Sequence, residues 1–272
     1  MIKYVITASL LLAGCGVKEQ NADAPLSLYT FDCGSIEVSD LDAFSSTGDY
    51  AGQTGSLTNT CYLIRHPQGD LLWDLGLPDV LVGIGPQTEG IFTTTLERTL
   101  IEQLADIGLT AQDIEFVSIS HSHFDHSGQA ALFPGSQWLV NKNEFDYMFS
   151  TEANKAQNAA FAKLSNSIHS GDLDVFGDGL VMILELPGHT PGHGALQVTL
   201  AESGPILLTG DLYHRTESRA LKRVPRFNSD EIQTRESMDL FETLAKESGA
   251  RVIIQHEPAD VATLPKPPAF LK

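Results

Sequence analysis

The stretch "IEFVSISHSHFDHSG", residues 114–128, governs how the rest of the chain is read. Its first half, "IEFVSIS", is a short apolar run of the kind that forms a buried strand. Its second half places His121, His123, Asp125 and His126 within six positions, three of the nine histidines of the chain. Neutral imidazole and ionised carboxylate are the usual nitrogen and oxygen ligands of Zn²⁺ and related ions. Crowding them at the end of a strand points to a metal site, and the remaining ligands must come from elsewhere.

Three other apolar runs end in the same way. "VMILELP" leads into "GHTPGH" with His189, "PILLTG" into Asp211, and "RVIIQ" into His256. A hydrogen-bonded structural histidine explains any one such residue well enough. Four strand ends delivering seven candidate ligands are better explained by one site. Seven ligands are too many for one four-coordinate ion and divide well between two. Three histidines serve one ion, a carboxylate with two histidines the other, and the last carboxylate bridges. Two ions about 3.5–4 Å apart share a hydroxide, lower its pKa and polarise the bond it attacks, so metal-assisted hydrolysis is expected. Zinc fits this ligand set, and iron or manganese fit it too.

The surrounding pattern is that of an α/β protein. Strands are expected at "LSLYTFDCGSIEV", "NTCYLIRH", "DLLWDLG", "SQWLVN", "LDVFGDGLVMILELP", "GALQVTLAE", "GPILLTGD" and "RVIIQHEP", with turns such as "HPQGD" between them. Helices are expected over "TTTLERTLIEQLADIGL", "KNEFDYMF", "EANKAQNAAFAKLSNSI" and "SDEIQTRESMDLFETLAKESGA", the last with a Ser N-cap and a Gly stop. The polar stretch "SDLDAFSSTGDYAGQTGSLT" reads as a lid or rim. Strands come in two batches, each followed by helices, which suggests sheets inside and helices outside in one domain over residues 26–272. Cys33 and Cys61 lie in candidate strands; they can form a disulfide if those strands pair or remain buried thiols.

The 272 residues carry a formal net charge of −18, and five of the 17 basic residues fall between Arg215 and Arg226. A nucleic-acid partner is therefore not expected, because phosphate binding is driven by Lys and Arg. The cluster Arg215, Arg219, Lys222, Arg223 and Arg226 could hold a substrate carboxylate or phosphate, though a solvated surface run is the favoured reading. Residues 1–14, "MIKYVITASLLLAG", have one early Lys and an apolar run too short to span a bilayer, the layout of an export signal. "LAGC" resembles the lipobox of bacterial lipoproteins. That resemblance implies cleavage before Cys15, a lipid anchor on Cys15, a flexible tether over residues 15–25, and a place on the periplasmic face of the cell envelope.

"LLWDLG", "HSHFDH", "PGHT", "TGD" and "QHEP", in that order, resemble the metallo-β-lactamase-fold hydrolases over nearly all of residues 26–272. The resemblance implies a four-layer αββα sandwich with two metals at the edge between its sheets. It places His121, His123 and His189 on the first metal, Asp125, His126 and His256 on the second, and Asp211 between them. Asp74 then supports the site through hydrogen bonds. A complete HxHxDH set with a last histidine is most similar to the N-acyl-homoserine lactone lactonases, and it also suits thioesterases, other esterases and, less well, β-lactam hydrolysis. A zinc-binding lipoprotein without turnover is the reading from a different class.

In the lactonases a tyrosine shortly after the bridging aspartate polarises the ring carbonyl. Here "GDLYHR" has Tyr213 two positions on and His214 where that tyrosine stands. Either side chain could donate to the developing oxyanion, and Asp125 could shuttle the proton to the leaving oxygen. Trp73, Phe124, Phe145, Tyr147 and Met148 could line an acyl-chain groove or pack in the core.

Overall fold

The structure, a computed structural model, describes residues 25–272. The expected export signal, Cys15 and all but the last residue of the tether lie outside them. Among the described residues no helix is long and apolar enough to cross a membrane.

Among the described residues thirteen strands form two sheets. The first contains β1 (Ser27–Val38), β2 (Gly55–His66), β3 (Gly69–Trp73), β4 (Gln87–Glu89), β5 (Phe92–Thr95), β6 (Phe116–Ser118), β7 (Gln137–Asn141) and β8 (Ser165–His169), in the order β4-β5-β1-β2-β3-β6-β7-β8. The second contains β9 (Leu173–Asp174), β10 (Val181–Glu185), β11 (Gly194–Leu200), β12 (Gly204–Leu208) and β13 (Arg251–Ile253), in the order β13-β12-β11-β10-β9. Alternate side chains of a strand point to opposite faces. On β2 and β3, Tyr62, Ile64, Leu71 and Trp73 therefore face the second sheet, where they meet Ile183, Leu196, Val198 and Leu208. Cys61, Leu63 and Leu72 face the other way, onto the helical layer.

That layer is built from α1 (Leu100–Asp106), the short α2 (Phe124–Ser127), α3 (Lys142–Met148) and α4 (Glu152–Gln157). Leu100, Leu104 and Met148 supply its contribution to the core. Behind the second sheet lie α5 (Thr216–Leu221) and α6 (Glu231–Ser248), which buries Met238, Phe241 and Ala245 against Leu184 and Leu207. A last turn, α7 (Pro258–Val261), follows β13. The order helix, sheet, sheet, helix is the expected αββα sandwich.

Local structure departs from expectation in several places, among them "LDVFGDGLVMILELP", which is not one strand but the antiparallel pair β9 and β10. The Thr-rich start of "TTTLERTLIEQLADIGL" joins β5, and the helix begins only after Thr99, whose capping box with Glu102 satisfies the first free N–H groups. Residues 152–168 are not one helix: α4 ends at Gln157, and Ser165–His169 pairs with β7 as the edge strand β8. The N-cap of α6 is Asp230, not Ser229, its carboxylate accepting from the N–H of Gln233.

Cys33 and Cys61 are joined as a disulfide across the antiparallel pair β1 and β2, with Cα atoms 5.8 Å apart. Gly76 packs on it with no room for a side chain, because a Cβ there would sit 2.5 Å from Cys33 Cβ. The carbonyl of Gly76 accepts from the N–H of Gly128 and the N–H of Leu75 donates to the carbonyl of His126. The disulfide thus backs the loop on which the histidine motif rests.

Candidate metal centre

The candidate ligands meet at one end of the cleft between the sheets. His121, His123, Asp125 and His126 follow β6, while His189, Asp211 and His256 follow β10, β12 and β13. One group comprises His121, His123, His189 and Asp211, and a second Asp125, His126 and His256; within each, the ligand atoms lie within 4.8 Å of one another. In the first, His123 Nδ1 is 2.8 Å from His121 Nε2 and 3.1 Å from His189 Nε2. In the second, the Nε2 atoms of His126 and His256 are 3.2 Å apart, and Asp125 Oδ2 is 3.7 and 3.6 Å from them.

Asp211 lies between the groups. Its Oδ2 is 3.5 Å from His121 Nε2 and 3.3 Å from His189 Nε2, and its Oδ1 is 3.1 Å from His126 Nε2 and 2.9 Å from His256 Nε2. Oδ1 is buried and, despite those short approaches, receives no hydrogen bond of acceptable geometry.

The far side of each imidazole decides which nitrogen is free. His126 Nδ1 faces Asp74 Oδ2 at 3.0 Å, His256 Nδ1 the carbonyl of Thr58 at 2.7 Å, His189 Nδ1 Asn228 Oδ1 at 3.0 Å, and His121 Nδ1 the Ser120 hydroxyl at 3.1 Å. A proton held at Nδ1 by a carboxylate, carbonyl or amide oxygen leaves Nε2 as a bare lone pair aimed at the cluster, the arrangement that orients imidazole toward a metal. Several such lone pairs around a carboxylate oxygen without a donor suit a cation. The chemistry of the donors is that of zinc or a similar ion.

Electrostatics divide the two groups. Burial holds His121 and His123 well below the usual imidazole range, helped by the neighbouring His126 and His189 respectively, so both stay in the neutral form a metal requires. Burial opposes charge on His126 and His256 as well, but Asp211 and the other nearby carboxylates outweigh it and raise both. Burial also opposes ionisation of Asp211, yet the imidazoles of His214, His126 and His256 carry its carboxyl well below the usual range.

Asp74 is fully buried and lies just past β3 with φ +60. Its Oδ1 accepts the N–H of Ser120 at 2.6 Å, and its Oδ2 accepts from Gln255 Nε2 at 2.8 Å as well as from His126. Gln255 in turn accepts the N–H of Gly210 at 2.9 Å. Asn59 Nδ2 donates to the carbonyl of Asp125 at 2.7 Å. None of Gln255, Asn59, Asn228 or Ser120 carries a sequence signal of its own, because an amide or hydroxyl becomes informative only when its neighbours are known.

The other candidate residues fall in different places. The Tyr213 hydroxyl donates to Glu242 Oε1 at 3.0 Å and the ring packs on Phe241, in the core behind the second sheet, so it is not placed as an oxyanion donor. His214 does reach the centre, with Nε2 2.9 Å from Asp211 Oδ2, where its partner is the bridging carboxylate. Trp73, Phe145 and Met148 are core residues. The basic cluster is paired: Arg219 with Glu242, Lys222 with Asp239, Arg223 with Asp49, Arg226 with Asp42, and Arg215 with Glu217. Arg223 and Arg226 use those pairs to pin the 40–50 segment beside the centre.

That segment brings Phe44, absent from the sequence reading, to 4.9 Å from the His214 ring and 5.2 Å from Phe227. Phe227 lies 6.2 Å from His123 and 6.1 Å from His189, and Phe92 joins Phe44 to Phe124, each at 6.2 Å. Phe124 and Phe227 remain 38 and 41% exposed. An aromatic wall therefore borders the metal centre on its open side.

Known proteins match this architecture. The chain is 25% identical over 261 residues to the N-acyl homoserine lactonase AttM of Azorhizobium caulinodans, covering 90% of this chain and 98% of the relative. It is 30% identical over 178 residues to an N-acyl homoserine lactonase of a Bacillus species, covering 61% of this chain and 68% of the relative. A solved N-acyl homoserine lactone hydrolase with N-hexanoyl-L-homoserine at its catalytic metal centre superposes with a TM-score of 0.79 at 25% identity, over 90% of this chain and 98% of that one. The family described as the Metallo-beta-lactamase superfamily matches residues 54–248, a span that takes in six of the seven ligand positions and Asp74. With that match and the cleft geometry together, the chain belongs to the metallo-β-lactamase superfamily.

Proposed function

We propose that this protein is a metal-dependent lactonase that opens N-acyl-homoserine lactones, with two zinc ions as the resident metals. The observation that carries the reading is the pair of ligand groups joined by Asp211 beside an aromatic wall. Lactonases among the relatives support the substrate class.

Two bound ions supply a water of lowered pKa as nucleophile and a Lewis acid for the carbonyl. The residues of the chain do the rest. His121, His123 and His189 would hold the first ion and Asp125, His126 and His256 the second, with Asp211 as a ligand common to both, its Oδ2 facing the first group and its Oδ1 the second. His214, its Nε2 at Asp211 Oδ2, fixes the bridging carboxylate. Asp125 has its backbone carbonyl tied down by Asn59 and its Oδ2 3.6 Å from His256 Nε2, and in this reading it carries a proton to the departing alcohol. Phe44, Phe92, Phe124 and Phe227 offer an apolar surface for the acyl chain and keep bulk water from the ring.

The disulfide between Cys33 and Cys61 favours an oxidising compartment. It supports the proposal that the mature chain is anchored through Cys15 on the periplasmic face of the envelope.

The test is acid release in a pH-stat from short- and long-chain acyl-homoserine lactones, with nitrocefin and a lactoylglutathione thioester alongside. Turnover of the lactones is expected, falling by at least about 10³-fold in His123→Ala, which loses the nitrogen shared by both contacts of the first group. Turnover of nitrocefin or the thioester with silence on lactones would refute the substrate assignment.

A further inference from the structure

The two loops that carry the first ligand group converge on one buried carboxylate outside it. Glu144 is the third residue of α3 and 2% exposed. Its Oε1 accepts the N–H of Ser122 at 2.7 Å, and its Oε2 accepts the Thr190 hydroxyl at 2.7 Å and the N–H of Gly192 at 2.9 Å. Ser122 stands between His121 and His123, and Thr190 follows His189. We propose that Glu144 is a positioning residue for the first metal, tying the histidine-motif loop to the "GHTPGH" loop so that three imidazoles from two sheets converge.

Burying a carboxylate is costly unless its lone pairs are satisfied. Here three donors satisfy it, all from the two ligand loops; among the described residues no Lys or Arg makes an ion pair with it. The nearest basic residue in sequence, Lys142, is exposed and paired with Asp146 on the outer side of the helix. The loops also touch the helix backbone directly. A Cβ at Gly192 would lie 2.2 Å from the nitrogen of Glu144, so only glycine permits this approach. A glutamine would keep the shape of Glu144 but present an amide N–H toward one or more of the donors, which removes an acceptor and leaves a donor facing a donor.

The second ligand group is held by other residues: Asp74 and Ser120 at His126, the Thr58 carbonyl at His256, and Asn59 at Asp125. Glu144 bonds to none of them. Its loss is therefore expected to weaken one site and spare the other.

The inference rests on the dinuclear reading above, and the test separates the two. Metal-free full-length protein, as wild type, Glu144→Gln, Thr190→Val and the double variant, is titrated with Zn²⁺ against a competing chelator and with Co²⁺ by visible absorption. Circular dichroism monitors the fold. Expected is one tight ion retained in Glu144→Gln and a 10–100-fold loss for the other, the typical cost of removing an outer support. The residual Co²⁺ spectrum should match that of His123→Ala. Thr190→Val should weaken the same step by less, and the double variant should lose less than the sum of the two, because both act through one hydrogen bond. If Glu144→Gln does not fold, Thr190→Val alone decides between selective and uniform weakening. Two ions bound by wild type with equal weakening of both, or of neither, would overturn the role of Glu144 alone. No ion bound by wild type would overturn the metal reading together with it.

Discussion

His193 shows how much a single side chain does here without touching a substrate. It is fully buried; its Nδ1–H donates to the carbonyl of Leu186 at 2.9 Å, and its Nε2 accepts the N–H of Asp211 at 3.0 Å. Burial, with His189 nearby, depresses it from the usual 6.5 to about 3. The unfolded chain therefore binds a proton at this residue below pH 6.5 that the folded chain refuses. Stability is fully present above that pH and falls as pH drops toward 3, by up to about 1.4 kcal/mol per pH unit from this group. Urea unfolding of metal-free protein at pH 7, 6 and 5 should show a shallower decline in His193→Gln than in wild type; parallel declines would remove His193 from the account. The ligand histidines were legible because each ends an apolar run. His193 stands in the same "GHTPGH" motif, yet its task depends on which nitrogen meets which backbone group, and that is set by folding. Tyr213 and His214 show the same limit: neighbours in sequence, they point to opposite sides of the second sheet, and only His214 meets Asp211.

At the scale of elements, strands with one or two buried faces were readable and edge elements were not. β3 buries every residue and β2 most of its own, so their composition identifies them. β8 is exposed along almost its whole length and carries no apolar alternation, which is why "SNSI" passes for the end of a helix. The 40–50 segment is polar in sequence, and its hold on the centre comes from Asp42 and Asp49 reaching arginines more than 170 positions away. The disulfide is an element-scale brace as well. It closes a loop with a sequence separation of 28, for which chain entropy contributes about 3–4 kcal/mol. Replacing both cysteines by alanine should lower stability by about 2–4 kcal/mol in denaturant titration. It should also loosen the Gly76 loop beneath His126, read as faster amide exchange at Gly128. A loss below about 0.5 kcal/mol would show that strand pairing alone holds β1 to β2.

Across the whole molecule, each ligand group draws on both sheets: His121 and His123 with His189 and Asp211, and Asp125 and His126 with His256. Bound ions therefore cross-link the two halves of the sandwich, and their binding energy adds to folding. At a free ion concentration 1,000 times the dissociation constant this is about 4 kcal/mol. Chelation should lower Tm by roughly 10 °C at 2–4 °C per kcal/mol, reversibly on adding zinc; an unchanged Tm would mean that the sheets close without help.

The position of the chain ends has its own consequence. Leu28 pairs with Leu271 beside Ile64 on β2, whereas the carbonyl that holds His256 belongs to Thr58, six residues along the same strand. At about 3.3 Å per residue the two lie about 20 Å apart. The described chain therefore starts and finishes at one pole of the sandwich, and the ligand groups sit at the other. A fusion partner joined after Lys272 is therefore expected to leave the ligand groups clear.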